Sequence, residues 1–162
     1  MKKSEINGKI LNTIKVTLPS YSVIEGVVRG VVAAFCARLD PTVSELGDIK
    51  CALSEAVTNC TVHAYRNTIG NIYITVDILD GNIVRIKVKD KGCGIPDVKS
   101  ARAPLYTTDR EGERSGMGFT VMESFSDYMR VSSTEGKGTT VVLYKKINGR
   151  EELIRSFALS GR

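Results

Sequence analysis

Two Gly-x-Gly turns constrain this chain more than any other feature. The first follows an alternating run, in Asp90-Lys91-Gly92-Cys93-Gly94-Ile95-Pro96; the second precedes a helical pattern, in Arg114-Ser115-Gly116-Met117-Gly118-Phe119. Glycine admits positive φ and has no Cβ, so amides in such turns can meet a ligand directly. A helix opening near Gly118 would aim free N–H groups and the positive end of its dipole at that ligand, which suits phosphate. The turns bracket about 20 residues without strong periodicity, and a loop of that length inside a compact domain is usually functional.

The rest of the chain is read as one domain spanning residues 1–162, with a polar, unassigned tail at 147–162. With 42% hydrophobic residues it can bury a sizeable core. No apolar run reaches the ~18 residues of a membrane span, and Met1-Lys2-Lys3 leads into no apolar signal core. A cytoplasmic location is therefore expected, with no membrane partner. Cys36, Cys51, Cys60 and Cys93 show no C-x-x-C spacing and the single His63 cannot complete a zinc pattern, so the thiols are expected to be reduced. The net charge of +5 comes from Lys and Arg scattered along the sequence. Without a basic run or interleaved aromatics it reads as a solvated surface, and no direct nucleic-acid partner is expected.

Residues 8–18 predict a first strand, ended by Pro19. Ser22-x-x-Glu25 has the form of a capping box ahead of Val27, Val28, Val31, Val32 and Phe35, an apolar stripe at helical spacing that should end near Asp40-Pro41. Thr42-x-x-Glu45 is a second capping box, followed by the stripe Leu46, Ile49, Leu53, Val57. On the neighbouring face Glu55, Asn59 and His63 stand at i, i+4 and i+8, one above another in a polar column beside small alanines. Residues 71–79 and 82–90 alternate across Asp80-Gly81, a two-residue hairpin signal. Val84, Ile86, Val88 and Asp90 share a face, so Asp90 extends a core-facing row as a carboxylate, which is costly unless it meets a donor. Phe119, Met122 and Phe125 mark a short helix, and residues 128–133 and 139–145 a closing strand pair in which Thr139 shares a face with Val141 and Leu143.

Several phosphate-binding patterns fail. A Walker A motif ending at Gly136-Lys137 would need glycine where Val131 stands. The Gly116-x-Gly118 turn lacks the third Rossmann glycine, since position 121 is Val, and neither H-R-D nor D-F-G is present. The ordered set that remains, over roughly residues 8–146, resembles the GHKL nucleotide-binding fold of gyrase, Hsp90, histidine kinases and the anti-sigma kinases. Ser54-Glu55-Ala56-Val57-Thr58-Asn59 is similar to the N box of that family, Asp90 to Gly94 to its adenine motif, Gly116 to Gly118 to its phosphate turn, and Gly138-Thr139-Thr140 to its motif near adenine. Pro104 to Thr108 and Glu113 to Phe119 resemble the lid of the sporulation-type anti-sigma serine kinases, with support from Leu39-Asp40-Pro41-Thr42. The tail departs from that pattern and is closer to the general-stress type. A histidine kinase would carry its phosphoacceptor His on a separate helical domain, and a gyrase-like ATPase would need a transducer domain.

The resemblance implies an α+β fold, a two-layer α/β sandwich whose mixed, mostly antiparallel sheet is covered on one face by about three helices. It implies an ATP- and Mg-dependent serine kinase that sequesters a sporulation-type sigma factor and phosphorylates an anti-anti-sigma protein, acting as a homodimer. The alternative is a nucleotide-dependent sigma-binding module with little kinase activity. Asn59 would offer magnesium a hard oxygen, and Glu55, one turn earlier, would take the proton of an incoming serine hydroxyl. Asp90 would accept the adenine amino group, and Gly116, Met117 and Gly118 would hold phosphate. Gly92, Gly94, Thr107, Ser115 and Thr139 complete the implied nucleotide set. His63 faces phosphate or makes a structural hydrogen bond, and Arg114 serves the lid base or a partner. Arg29 is either a sigma-contacting residue near the dimer surface or a solvated arginine.

Overall fold

In the computed structural model, which describes residues 6–102 and 117–149, a five-stranded sheet carries helices on one face. The strands are β1 (Ile10–Pro19), β2 (Asn71–Leu79), β3 (Ile83–Lys89), β4 (Tyr128–Thr134) and β5 (Gly138–Lys146), in the spatial order β1-β2-β3-β5-β4. Every ladder among them is antiparallel. The helices are α1 (Ile24–Cys36), α2 (Val43–Asn59), the single turn α3 (Val98–Ala101) and α4 (Gly118–Phe125). The expected two-layer α+β architecture is therefore the observed one.

Alternation decides which face is buried. Ile72, Ile74 and Val76 of β2, Val84, Ile86 and Val88 of β3, and Val141 and Leu143 of β5 form the inner row, under 9% exposed throughout. Against it pack Ile49, Leu53 and Val57 of α2, as their spacing predicts, together with Met122 of α4. A second, smaller cluster of Ile6, Leu79, Ile83 and Tyr144 closes one end of the opposite face.

α2 starts where the sequence places it. Glu45 N donates to Thr42 Oγ1 at 3.2 Å, and Thr42 N donates to Glu45 Oε2 at 2.8 Å, which completes a capping box. Burial alone would raise the Glu45 carboxyl, but donors from Thr42, Asn148 and Gly149 outweigh it and hold the group below its ordinary value. Its other oxygen, Oε1, accepts from Asn148 N at 2.7 Å, so the cap also pins the chain beyond β5. Ile147, placed in the unassigned tail by its sequence, is buried and donates its N–H to Asn82 O.

Three local expectations are corrected. Ser22 makes no capping box: α1 begins at Ile24 after an N-cap at Val23 with no side-chain cap bond, and Glu25 N reaches only the Ser22 carbonyl. The buried stripe of α1 is Ile24, Val28, Val32 and Cys36, whereas Val27 and Val31 are 57% and 40% exposed. The i, i+4 row is the buried one, and of the remaining expected residues Phe35 packs partly buried against the core. The β2–β3 connection holds three residues, because Leu79 pairs with Ile83 and both Gly81 (φ 73°) and Asn82 (φ 58°) are left-handed. Asn tolerates that region and so lengthens the turn by one.

The stability consequences differ by mechanism. Thr42→Ala removes one cap and should cost about 1 kcal/mol. Leu53→Ala leaves a cavity beneath the sheet and should cost about 2–5 kcal/mol. Urea unfolding of both variants, followed by circular dichroism, checks the order; equal losses would contradict it.

Candidate functional site

Where β3 ends, Asp90 continues the inner row and is 3% exposed. A carboxylate there must be met by donors. Its Oδ1 accepts from Gly92 N at 2.9 Å and Thr139 N at 3.1 Å, and Asp90 N donates to Thr139 O at 3.0 Å. Asp90 and Thr139, expected to line one nucleotide, are thus directly bonded. Oδ2 lies 3.7 Å from Cys60 Sγ, which is also 3.3 Å from Ala56 O. Burial, reinforced by the charge of Asp90, pushes the Cys60 thiol up, so it stays a protonated donor. An ionised carboxylate has about four lone-pair sites; two amides and a weak thiol leave acceptor capacity over.

The polar column leads up to Cys60, the residue that reaches Asp90. Glu55 and Asn59 occupy the last turns of α2 and are half-buried. The N-terminus of α4 stands against them: a Cβ built on Gly118 would lie 3.2 Å from Glu55 Oε2 and 3.3 Å from Asn59 Oδ1. A side chain at 118 would crowd both oxygens, which would have to give way by a few tenths of an ångström, so glycine suits this close approach. Met117, the N-cap of α4, makes no side-chain cap bond, and the first N–H groups of a helix have no intrahelical partner. His63 departs from the expected column. Residues Cys60–Ala64 form a π-helical turn, in which Tyr65 N bonds to Cys60 O, so the 3.6-residue spacing stops at Asn59. Such turns are rare and frequent at functional sites.

The glycines of the first turn do something the sequence does not announce. A Cβ on Gly92 would sit 2.2 Å from Ala64 O, and one on Gly94, at φ 71°, 2.2 Å from Thr134 O. Gly138, at φ 96°, leaves its missing Cβ to the Asp90 carbonyl at 2.3 Å. On those faces the close approach is made by protein backbone. Cys93 N donates to Ala64 O and Gly136 N to Cys93 O, which lashes the turn to the π-helical segment on one side and the β4–β5 hairpin on the other.

Sequence reasoning missed three supporting residues. Ser133 Oγ accepts from Ile95 N at 2.8 Å and lies 2.9 Å from Thr139 Oγ1. The Tyr65 hydroxyl donates to Asn71 O at 2.6 Å and accepts from Lys91 N at 2.9 Å, over a Gly70 that leaves room for its ring. Burial, partly offset by the Lys91 amide, raises the Tyr65 phenol above its ordinary value. Cys60 is the third. Cys60 and Tyr65 follow Asn59 closely in sequence, yet only the π turn aims them at Asp90 and Lys91; Ser133 carried no signal at all. Arg29 is 46% exposed in its side chain, pairs with Glu25 at 3.3 Å and reaches Ser54 Oγ at 3.5 Å. Thr107, Arg114, Ser115 and Gly116 lie outside the described residues.

Among the described residues no group of three His, Cys, Asp or Glu side chains forms a metal cage, and no helix is long and apolar enough to cross a membrane. All four cysteines are free thiols.

Residues 23–145 match the model of the histidine kinase-like ATPase domain. The chain is 54% identical over 136 residues to the anti-sigma F factor of Caldanaerobacter subterraneus, an alignment covering 84% of this chain and 94% of that one. It is 46% identical over 143 residues to the anti-sigma F factor of Bacillus licheniformis, covering 88% and 97%. Among solved structures, the RsbU and RsbW domains of a Mycobacterium tuberculosis protein superpose with a TM-score of 0.62 at 21% identity, over 84% of this chain and 32% of that one. A histidine kinase domain from Erythrobacter litoralis gives 0.52 at 21% identity, over 81% and 64%. Both likenesses concern the fold. With near-complete alignment at this identity and the ATPase domain over most of its length, the chain belongs to the anti-sigma F factor family of histidine kinase-like ATPases.

Proposed function

We propose that the protein is an ATP-dependent anti-sigma factor that holds a sporulation-type sigma factor and phosphorylates a serine of an anti-anti-sigma protein. The observation that carries this reading is the convergence of Glu55 Oε2 and Asn59 Oδ1 on the uncapped start of α4 at Gly118. One carboxylate, one amide oxygen and the first amides of a helix, which lack intrahelical partners, are the parts phosphoryl transfer requires: a proton acceptor, a hard metal ligand and an anion cradle.

The residues present fit magnesium and nucleotide. Magnesium keeps several waters and binds through few protein oxygens plus substrate phosphates, so a single Asn59 oxygen suits it better than an acidic cage would. Bound Mg·ATP would supply the transferable phosphoryl group. In this reading Glu55 Oε2 takes the proton of the serine hydroxyl, Asn59 Oδ1 holds the metal, and Met117 and Gly118 present amides to phosphate. Asp90 Oδ2 accepts the adenine amino group while Oδ1 is held by Gly92 and Thr139. Gly92, Gly94 and Thr139 shape that pocket, and His63 stands beside it. Thr107, Arg114, Ser115 and Gly116 would complete the set through the lid.

The partner surface is read from α1. Val23, Val27 and Val31 are exposed and follow Tyr21, itself 50% exposed. An apolar strip of this kind marks an interaction surface. Homodimerisation, with sigma contacts through Arg29, would cover it. Arg29 touches Ser54, the neighbour of Glu55, and so couples that surface to the nucleotide helix. A cytoplasmic location follows from the sigma partner.

Glu55→Gln should keep ATP affinity and lower phosphorylation of the partner by roughly 10²–10⁴-fold, measured with labelled ATP; transfer at the wild-type rate would remove Glu55 from the role. Asp90→Asn should lose much of the affinity and part of a strong preference for ATP over GTP, because guanine presents a carbonyl to an acceptor. Competition binding with both nucleotides decides that assignment, and equal affinities would refute it. Arg29→Glu should weaken sigma binding about tenfold or more while kinase activity persists; calorimetry and the transfer assay on one preparation separate this from misfolding.

A further inference from the structure

Opposite the helices, the sheet gathers charge that is dispersed in the sequence. Pairing register puts Lys15 (β1), Lys87 (β3) and Arg130 (β4) in one row, with Thr75 and Val142 between them. Lys89 lies one step further along β3, and Lys91 just past its end. All five are exposed. Cations in the row stand two strands, about 10 Å, apart, and Lys87 and Lys89 about 7 Å apart. Asp77 is the one carboxylate at a strand position on this face, and it is fully engaged by Thr13 at 2.7 Å and Arg85 at 2.8 Å. None of the five forms an ion pair among the described residues; Lys91 instead lies 5.2 Å over the ring of Tyr73. Like charges held this close repel one another, and a polyanion relieves the repulsion.

We propose that this face binds single-stranded nucleic acid through its phosphates, without competing with the nucleotide site. Four of the five cations are lysines, compact point charges that bind phosphate, and the arginine fork binds phosphate and carboxylate alike. The available forks shrink to Arg130, since Arg85 is taken by Asp77. The backbones of β2, β3 and β5 are laddered on both sides, so an acidic peptide cannot join this face as a strand. A shallow depression lined by Tyr73, Thr75, Lys87, Lys89 and Lys91 sets an aromatic ring among the cations, the combination on which unpaired bases stack while their phosphates are neutralised. Asp90, Glu55 and Asn59 lie on the helix side of the sheet, so the two ligands do not meet.

The test is fluorescence anisotropy with a labelled, mixed-sequence single-stranded DNA of about 16 nucleotides and the full chain. Five neutralised phosphates predict that log K falls with log salt at a slope of about −3.5. The triple variant Lys87→Gln, Lys89→Gln, Arg130→Gln should reduce the slope to about −1.4 and lower affinity at about 50 mM salt more than tenfold. The control triple Lys50→Gln, Arg66→Gln, Lys99→Gln, on other surfaces, should change affinity less than about twofold. ATP affinity should be unchanged in both; were the triple variant to lose it, Lys87→Gln alone must lower the slope by about 0.7. The proposal is overturned by absence of binding at about 50 mM salt, by equal losses in both triples, or by tighter binding of a polyglutamate peptide or a phosphatidylserine vesicle to the same face.

Discussion

A charge taken out of water must be met by donors, and the buried carboxylate of Asp90 organises its surroundings accordingly. The cost of an unmet carboxylate exceeds what one domain can spare. Gly92 bends back to offer an amide, β5 begins where Thr139 can offer another, and Cys60 turns its thiol inward. Each donor belongs to a different segment, so satisfying one charge fixes the loop, the last strand and the end of α2 together. The glycines follow from that demand: Gly92, Gly94 and Gly138 stand where backbone meets backbone too closely for any Cβ.

The half of the site around Glu55 and Asn59 rests on a different constraint. α2 is held by its apolar stripe against the sheet and by the Thr42–Glu45 cap at its start. Its polar column is thereby turned toward α4, and the missing Cβ of Gly118 lets that helix reach Glu55 and Asn59. The π turn then rotates the chain off the column, delivering Cys60 to Asp90 and Tyr65 to the Lys91 amide. One irregularity thus connects the Glu55–Asn59 column to the surroundings of Asp90. The outward face of α1 remains apolar beside Arg29, which suits a chain whose relatives are named for a partner they oppose.

Much of this was legible in the residues. Period-two alternation located all five strands, because one face of each is buried and the other is not. Thr42-x-x-Glu45 announced α2, since a capping box is a local arrangement complete within four residues. Strand parity turned Asp90 inward, and i, i+4 spacing put Glu55 beside Asn59. Ser22-x-x-Glu25 has the same letters as a capping box and does not make one, because the chain enters α1 already in a helical conformation at Val23. Val27 and Val31 share the helical spacing of the stripe and yet face outward, because hydrophobicity alone does not say which of two adjacent apolar rows meets the sheet.

Amino-acid order settled whatever depends on neighbours a few residues apart: strand period, caps, the inward face of Asp90 and the Glu55–Asn59 pair. Tertiary structure decided whatever depends on segments far apart in the chain. Gly118 meets Asn59 only when α4 packs on α2, and Thr139 meets Asp90 only across the β3–β5 ladder. Lys15, Lys87 and Arg130 look scattered over more than a hundred residues, yet pairing register sets them in one row. Register is a property of strand pairs, and a one-residue slip would send each of those cations to the other face.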